Sequence, residues 1–216
     1  FDNLSFAPHV SLPVYAKSLL TPRFIPGNFR PMGHAYFGVM GRLFGLDFSR
    51  YVWPLHLIHF LNVWLVWLLL RRLGGGPWAA GAGALLFAFH MAAFDVYWKP
   101  MYVFDLLCAT FSLACLLFWI NGRWVLSLAA FWLAYKSKEI AVMLPAVLLV
   151  YEVWLGEKRW KRTLPFFAIA ALFGLQGVFM NPNVDNEYTL RFTPAAVWQC
   201  LRFYSSEVLF LPYAGL

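Results

Sequence analysis

Residues 52–72 read VWPLHLIHFLNVWLVWLLLRR, a run that is apolar from Val52 to Leu70 apart from His56, His59 and Asn62, and that stops at Arg71-Arg72. Gly74-Gly75-Gly76-Pro77 follows, a combination that ends helices. About 20 apolar residues coiled as an α-helix cross the hydrocarbon core of a bilayer and satisfy their own backbone there. The stretch reads as one complete membrane span. Its repetition along the chain predicts an all-α fold, a polytopic transmembrane helix bundle.

The composition points the same way. Of the 216 residues, 62% are hydrophobic and 12% charged, against about a quarter charged in soluble domains. A chain this apolar does not suit one water-soluble core. The formal charge of +7 raises the question of nucleic acid. The basic residues cluster at span ends, however, in Arg71-Arg72 and Lys158-Arg159-Trp160-Lys161-Arg162. Membrane topology accounts for that placement, and no nucleic-acid partner is expected. Cys108 and Cys115 share one apolar helix and Cys200 stands alone. Neither a metal-ligand set nor a disulfide framework has this spacing, so they read as small packing residues.

Residues 1–51 carry Pro8, Pro13, Pro22, Pro26 and Gly27 among mixed polar residues and read as an outer loop with short helices. Arg30-Pro31 opens one of these, ending near Gly45. Residues 52–216 read as the transmembrane bundle. The chain opens at Phe1 with no initiator Met, charged n-region or apolar h-region. It is expected to be a segment that lacks its first span and its C-terminal part. After the first complete span, further spans are expected from about Trp78 to Phe94, from Met101 to Ile120, and from the Asn121-Gly122-Arg123 turn to Tyr135. Others run from Glu139 to Leu155, from Leu164 to Met180, and from Ala195 to a stop or kink at Pro212. The segment thus holds six to seven spans.

Strict alternation, with Arg71-Arg72, Arg123 and the 158–162 cluster on the cytoplasmic side, satisfies the positive-inside rule. The opposite side then receives Asp2, Asp95, Asp105, Glu139, Asp185 and Glu187. Lys136-Ser137-Lys138 is the exception, with two ammonium groups on the outer side. An anion bound there would offset their placement.

Ionisable groups near hydrocarbon are costly and are kept where they pair, face water or do chemistry. Asp2, beside Asn3, is placed to accept the proton of a hydroxyl at the bilayer surface, although a lone loop carboxylate is commonly just solvated. Asp95 and Asp105 flank Lys99 and Pro100 across a short turn, so either both acids face one cavity or Asp95 simply pairs with Lys99. Lys138 or Lys136 would neutralise a phosphate while Glu139 caps the next helix or orients a lysine; a plain salt bridge is the alternative. His56 and His59 share a helix face with Asn62 and His90 as possible neighbours, which allows a metal or a porphyrin. No carboxylate or Cys completes a ligand set, so interhelical hydrogen bonding is the preferred reading and no metal is expected.

Four places together resemble a known family. These are Phe29-Arg30-Pro31-Met32 followed by Leu43-Phe44-Gly45-Leu46; His56 to Asn62 leading to Leu70-Arg71-Arg72-Leu73-Gly74; His90 with Asp95 and Asp105; and Ser137-Lys138-Glu139 with Pro145 and Tyr151-Glu152. In order and spacing they resemble the membrane region of GT-C glycosyltransferases, in the group of the protein O-mannosyltransferases and the tetratricopeptide-containing O-mannosyltransferases. The resemblance implies a carboxylate of the first outer loop as general base, a role that falls on Asp2. It implies substrate binding by Arg30, His90, Asp95, Lys99, Asp105, Lys136, Lys138 and Glu139. The chain departs from the family pattern with Asn3 for the second acid of the leading pair, Met91 for a Pro and Val103 for an Arg.

The implied reaction is transfer of a sugar from a polyprenyl-phosphate donor to a hydroxyl of an acceptor protein or glycan, with no cofactor. It takes place among membrane lipids, at the periplasmic face of a bacterial inner membrane or the luminal face of the endoplasmic reticulum. A second reading stays open: a non-catalytic accessory subunit of a larger membrane complex, using the same scaffold for packing or for holding lipid or pigment. A transporter finds no support in paired interrupted helices or internal repeats.

Overall fold

The computed structural model describes residues 3, 5, 7–22, 30–180 and 193–209. It divides into two compact units, Phe1–Gly177 and Val178–Leu216. Among the described residues every regular element is helical.

The first unit opens with a 3-10 turn, Ala7–His9, and α1, Leu12–Leu20. Then come α2, Pro31–Phe44, α3, Ser49–Arg72, α4, Pro77–Ala88, α5, Val103–Ile120, α6, Trp124–Ser137, α7, Leu144–Trp154, and α8, Leu164–Met180. The second unit carries α9, Pro194–Leu209. Proline begins α2 and α4, where its missing N–H costs no intrahelical bond. The turn between α5 and α6 is closed by Gly122 at φ 74°, a left-handed conformation that lets Arg123 N–H reach the Phe118 carbonyl at 2.8 Å.

The decisive helix is α3. Its inward face holds Tyr51, Leu55, His59 and Asn62, all buried, whereas Trp53, Leu57, Phe60 and Trp64 stand exposed along the opposite side. The polar groups face the protein and the large apolar ones face out, the reverse of a water-soluble helix. Asn62 is fully buried, donates to the Leu106 carbonyl of α5 at 3.1 Å and accepts from Thr110 Oγ1 at 2.7 Å. At 24 residues, α3 is about 36 Å long, more than the hydrocarbon core requires. The run Pro100–Ile120, which contains α5, also meets the length and apolarity needed to cross a membrane.

The expected span from Trp78 to Phe94 is interrupted. Helix α4 ends at Ala88, and residues Met91–Tyr97 form a 3-10 helix. The Ala88 carbonyl, near the helix end and without a partner in α4, lies 3.1 Å from His59 Nε2 on α3. The expected 139–155 span is likewise a 3-10 turn, Glu139–Met143, leading into α7.

The core has three parts. Tyr51, Leu55, Phe37, Met40, Val103 and Phe104 join α2, α3 and α5. Cys115, Phe131, Leu148 and Phe166 join α5 to α8. Cys108, Tyr135 and Phe173 close a third cluster, with the Tyr135 and Phe173 rings stacked at 3.6 Å.

Candidate functional site

The site is built where α2, the start of α5 and the end of α6 meet. Gly33 lets α2 approach α5: a Cβ there would lie 2.1 Å from the Phe104 ring. The Phe104 ring in turn carries the Arg30 guanidinium at 5.4 Å and meets the His34 ring edge-on at 5.1 Å. At the other wall, α6 stops because Lys138 takes an extended conformation, φ −158°, ψ 145°. That break sends two adjacent side chains in separate directions.

Lys138 Nζ donates to Asp105 Oδ1 at 2.5 Å, and Glu139 Oε1 accepts from Arg30 Nε at 2.8 Å. Asp105 sits in the first turn of α5, where the helix dipole favours a carboxylate. All four side chains are 28–38% exposed, so both pairs are reachable from outside the protein. A cavity of about 300 Å³ begins at Asp105 and runs past Cys108, Ser112, Ile140, Met143 and Val147. Its one charged lining residue is Asp105, whose carboxylate is paired with Lys138, and the rest of the lining is mostly apolar.

His34 ties the N-terminal segment to this cluster. Its Nδ1 lies 2.9 Å from both the backbone N–H and the carbonyl oxygen of Arg30, and its Nε2 lies 3.1 Å from Asn3 Oδ1. The ring is 4% exposed, and burial, aided by the nearby Arg30 charge, holds its pKa below the ordinary histidine value against the opposing backbone hydrogen bond. Tyr15 fastens the same region, its hydroxyl lying 3.0 Å from the carbonyls of Ala7 and His34. Nothing in the sequence reading singled out His34 or Tyr15. The available signal was the four-residue spacing between His34 and Arg30, which caps the start of α2.

The other expected site residues fall into three groups. Asp95 and Lys99 pair at 2.6 Å in the exposed segment between α4 and α5, which raises the lysine pKa through the hydrogen bond. Asp95 and Asp105 thus answer to different lysines. Half-buried His90 lies near the start of that segment. Lys136 is 6% exposed; its ammonium donates to the Thr21 carbonyl at 2.6 Å and lies over the Trp132 ring, while Trp132 Nε1 donates to the Leu19 carbonyl. Lys136 therefore fastens the end of α1. Asp2, and with it Phe29, Asp185, Glu187 and Pro212, lies outside the described residues. His56 and His59 contact aromatic rings: His59 stacks on Tyr97 at 4.4 Å and His56 meets Trp98 edge-on at 4.9 Å. Among the described residues no cluster of three or more His, Cys, Asp or Glu side chains is arranged to hold a metal ion.

No curated protein and no solved structure matches the chain. A family model, that of the dolichyl-phosphate-mannose-protein mannosyltransferases, matches residues 28–181. The matched span includes Arg30, His34, Asp105, Lys138 and Glu139, the residues that the fold brings to one place. It covers more than two thirds of the sequence, and the chain therefore belongs to the dolichyl-phosphate-mannose-protein mannosyltransferase family.

Proposed function

We propose that this chain forms the donor-binding and catalytic end of a glycosyltransferase that moves a sugar from a polyprenyl-phosphate to an acceptor hydroxyl on the outer side of a membrane. The family match supports mannose as the sugar, a dolichyl-type phosphate as the carrier and a protein as the acceptor. The observation that carries the reading is that Asp105, at the rim of the apolar cavity, is held by the partly exposed Lys138 ammonium. A lipid phosphate displaces Asp105 from the ammonium while its hydrocarbon chain follows Ile140, Met143 and Val147.

Asp2 takes the proton of the acceptor hydroxyl as that oxygen attacks the anomeric carbon. The bond to the phosphate oxygen breaks, and charge grows on the leaving group. Lys138, with Arg30 released from Glu139, stabilises that charge, an effect strengthened where water is scarce. Asn3, the covalent neighbour of Asp2, lies 3.1 Å from His34 Nε2. In this reading α3 to α9 supply the six to seven membrane crossings, and Asp95, Lys99 and His90 share the outer face with Lys138. That face is periplasmic in a bacterium or luminal in the endoplasmic reticulum.

The test uses the complete protein in lipid vesicles with a polyprenyl-phosphate sugar. Asp2→Asn abolishes transfer with the thermal unfolding midpoint unchanged. Lys138→Met raises the donor KM by about tenfold, the loss of one charge-assisted contact. Unaltered transfer by the Asp2 variant removes it from the reaction, and an unaltered donor KM removes Lys138.

A further inference from the structure

The opposite end of α5 holds a second cavity, of about 310 Å³, about 21 Å along the helix from Asp105. Its walls come from the end of α5, the start of α6, the end of α7 and the basic segment that follows. Glu152 forms the floor. It is 6% exposed, accepts from Trp119 Nε1 at 2.8 Å through Oε1, and accepts from the Arg159 backbone N–H at 2.9 Å through Oε2. Gly156 makes room for it, since a Cβ there would lie 2.9 Å from the Glu152 carboxyl carbon. Both oxygens of the acid are thus held by neutral donors, and among the described residues no arginine side chain pairs with it.

Of the two arginines lining the cavity, Arg159 is paired with Glu157. Arg162 lines the same space, is exposed, and has no ion pair among the described residues. Trp124, 46% exposed, stands at the wall. The lining thus combines a guanidinium with no ion pair among the described residues and an indole at the start of α6, just past the end of the membrane-length run Pro100–Ile120, groups of the kind that meet an anion at a bilayer surface.

We propose that this cavity binds a phosphate group through Arg162 and Arg159, carried by a membrane phospholipid headgroup or present as free phosphate. The planar guanidinium of Arg162 takes two phosphate oxygens, and Arg159 contributes once the phosphate competes with Glu157. Glu157 is then free to accept from an ammonium or hydroxyl of the headgroup. The site is separate from the Lys138 end and depends on α5 as a membrane-crossing helix, not on the sugar-transfer chemistry.

The purified complete protein is titrated with dihexanoylphosphatidylglycerol, with inorganic phosphate, and with the phosphate-free dihexanoylglycerol, reading the thermal unfolding midpoint. Titration by the phospholipid raises the midpoint, and Arg162→Gln requires about tenfold more of it for the same rise. Lys161→Gln, a neighbouring charge that does not line the cavity, titrates as the wild type and serves as the control for general surface charge. An equal, Arg162-dependent rise with inorganic phosphate assigns the site to the free ion. A rise with dihexanoylglycerol equal to that with the phospholipid, the same titration in Arg162→Gln as in wild type, or no rise with either phosphate compound overturns the proposal. The readout is independent of sugar transfer, so this proposal and the functional one fail separately.

Discussion

At the N-terminal end of α5 the Asp105 carboxylate faces the Lys138 ammonium, with both side chains about a third exposed. At its C-terminal end Glu152 is almost fully buried and accepts from an indole and a backbone N–H. The first acid is bound to a partly exposed ammonium at the end of a long side chain. The second is bound to neutral groups whose positions are set by the fold. One end is therefore partly open to solvent, and the other holds a buried acid under a cavity lined by Arg162, which has no ion pair among the described residues. Two acids on neighbouring stretches of one bundle differ in role because their partners differ.

Truncating the fixed acid should show the largest effect. Glu152→Ala leaves the buried Trp119 Nε1–H without its acceptor and should cost about 2 kcal/mol of stability, seen as a lowered unfolding midpoint in detergent. Glu152→Gln, which keeps an oxygen for the indole, should recover most of that loss. Equal loss in both variants would mean that the charge itself matters, and the contrast between the two ends would fail.

Asp105→Asn tests the partly open end and should change stability by less than about 1 kcal/mol, as for other half-exposed ion pairs. Its effect belongs instead on the affinity for a lipid phosphate, which the variant should raise because the competing carboxylate charge is gone. A loss of stability matching that of Glu152→Ala would make the pair a structural anchor.

The smallest effect concerns pH. Burial lowers the His34 pKa, so the folded chain resists a proton that the unfolded chain takes up at about 6.5. Above that pH both states are neutral at this ring and the contribution is constant. As pH falls from about 6.5 towards the lowered folded value, the unfolded state gains protons first and stability declines. A shallow decline that disappears in His34→Gln confirms the assignment, and a profile identical in the two proteins refutes it.

Much of the helical layout was legible beforehand because it depends on local pattern. Apolar runs, Arg71-Arg72 and the proline and glycine punctuation place α2, α3, α5 and α8 close to where the structure has them. The break in the run from Trp78 to Phe94 was not legible, since the hydrogen bond from His59 to Ala88 joins residues on different helices. Likewise Lys136 and Lys138 are two residues apart and of one type. One closes α1 against α6 and the other meets Asp105. Which lysine does which depends on the helix ending between them and on where the neighbouring elements lie.

The amino-acid order by itself determined that this chain builds apolar helices with charges gathered at their ends, because the cost of exposing backbone or charge to hydrocarbon acts on every residue locally. Only the tertiary structure decided that Arg30 would meet Glu139 across 109 positions, that Lys138 would take Asp105, and that Glu152 would be held by neutral donors. Those partnerships arise from helix packing, in which a glycine such as Gly33 or an extended residue such as Lys138 sets distances that no local pattern encodes.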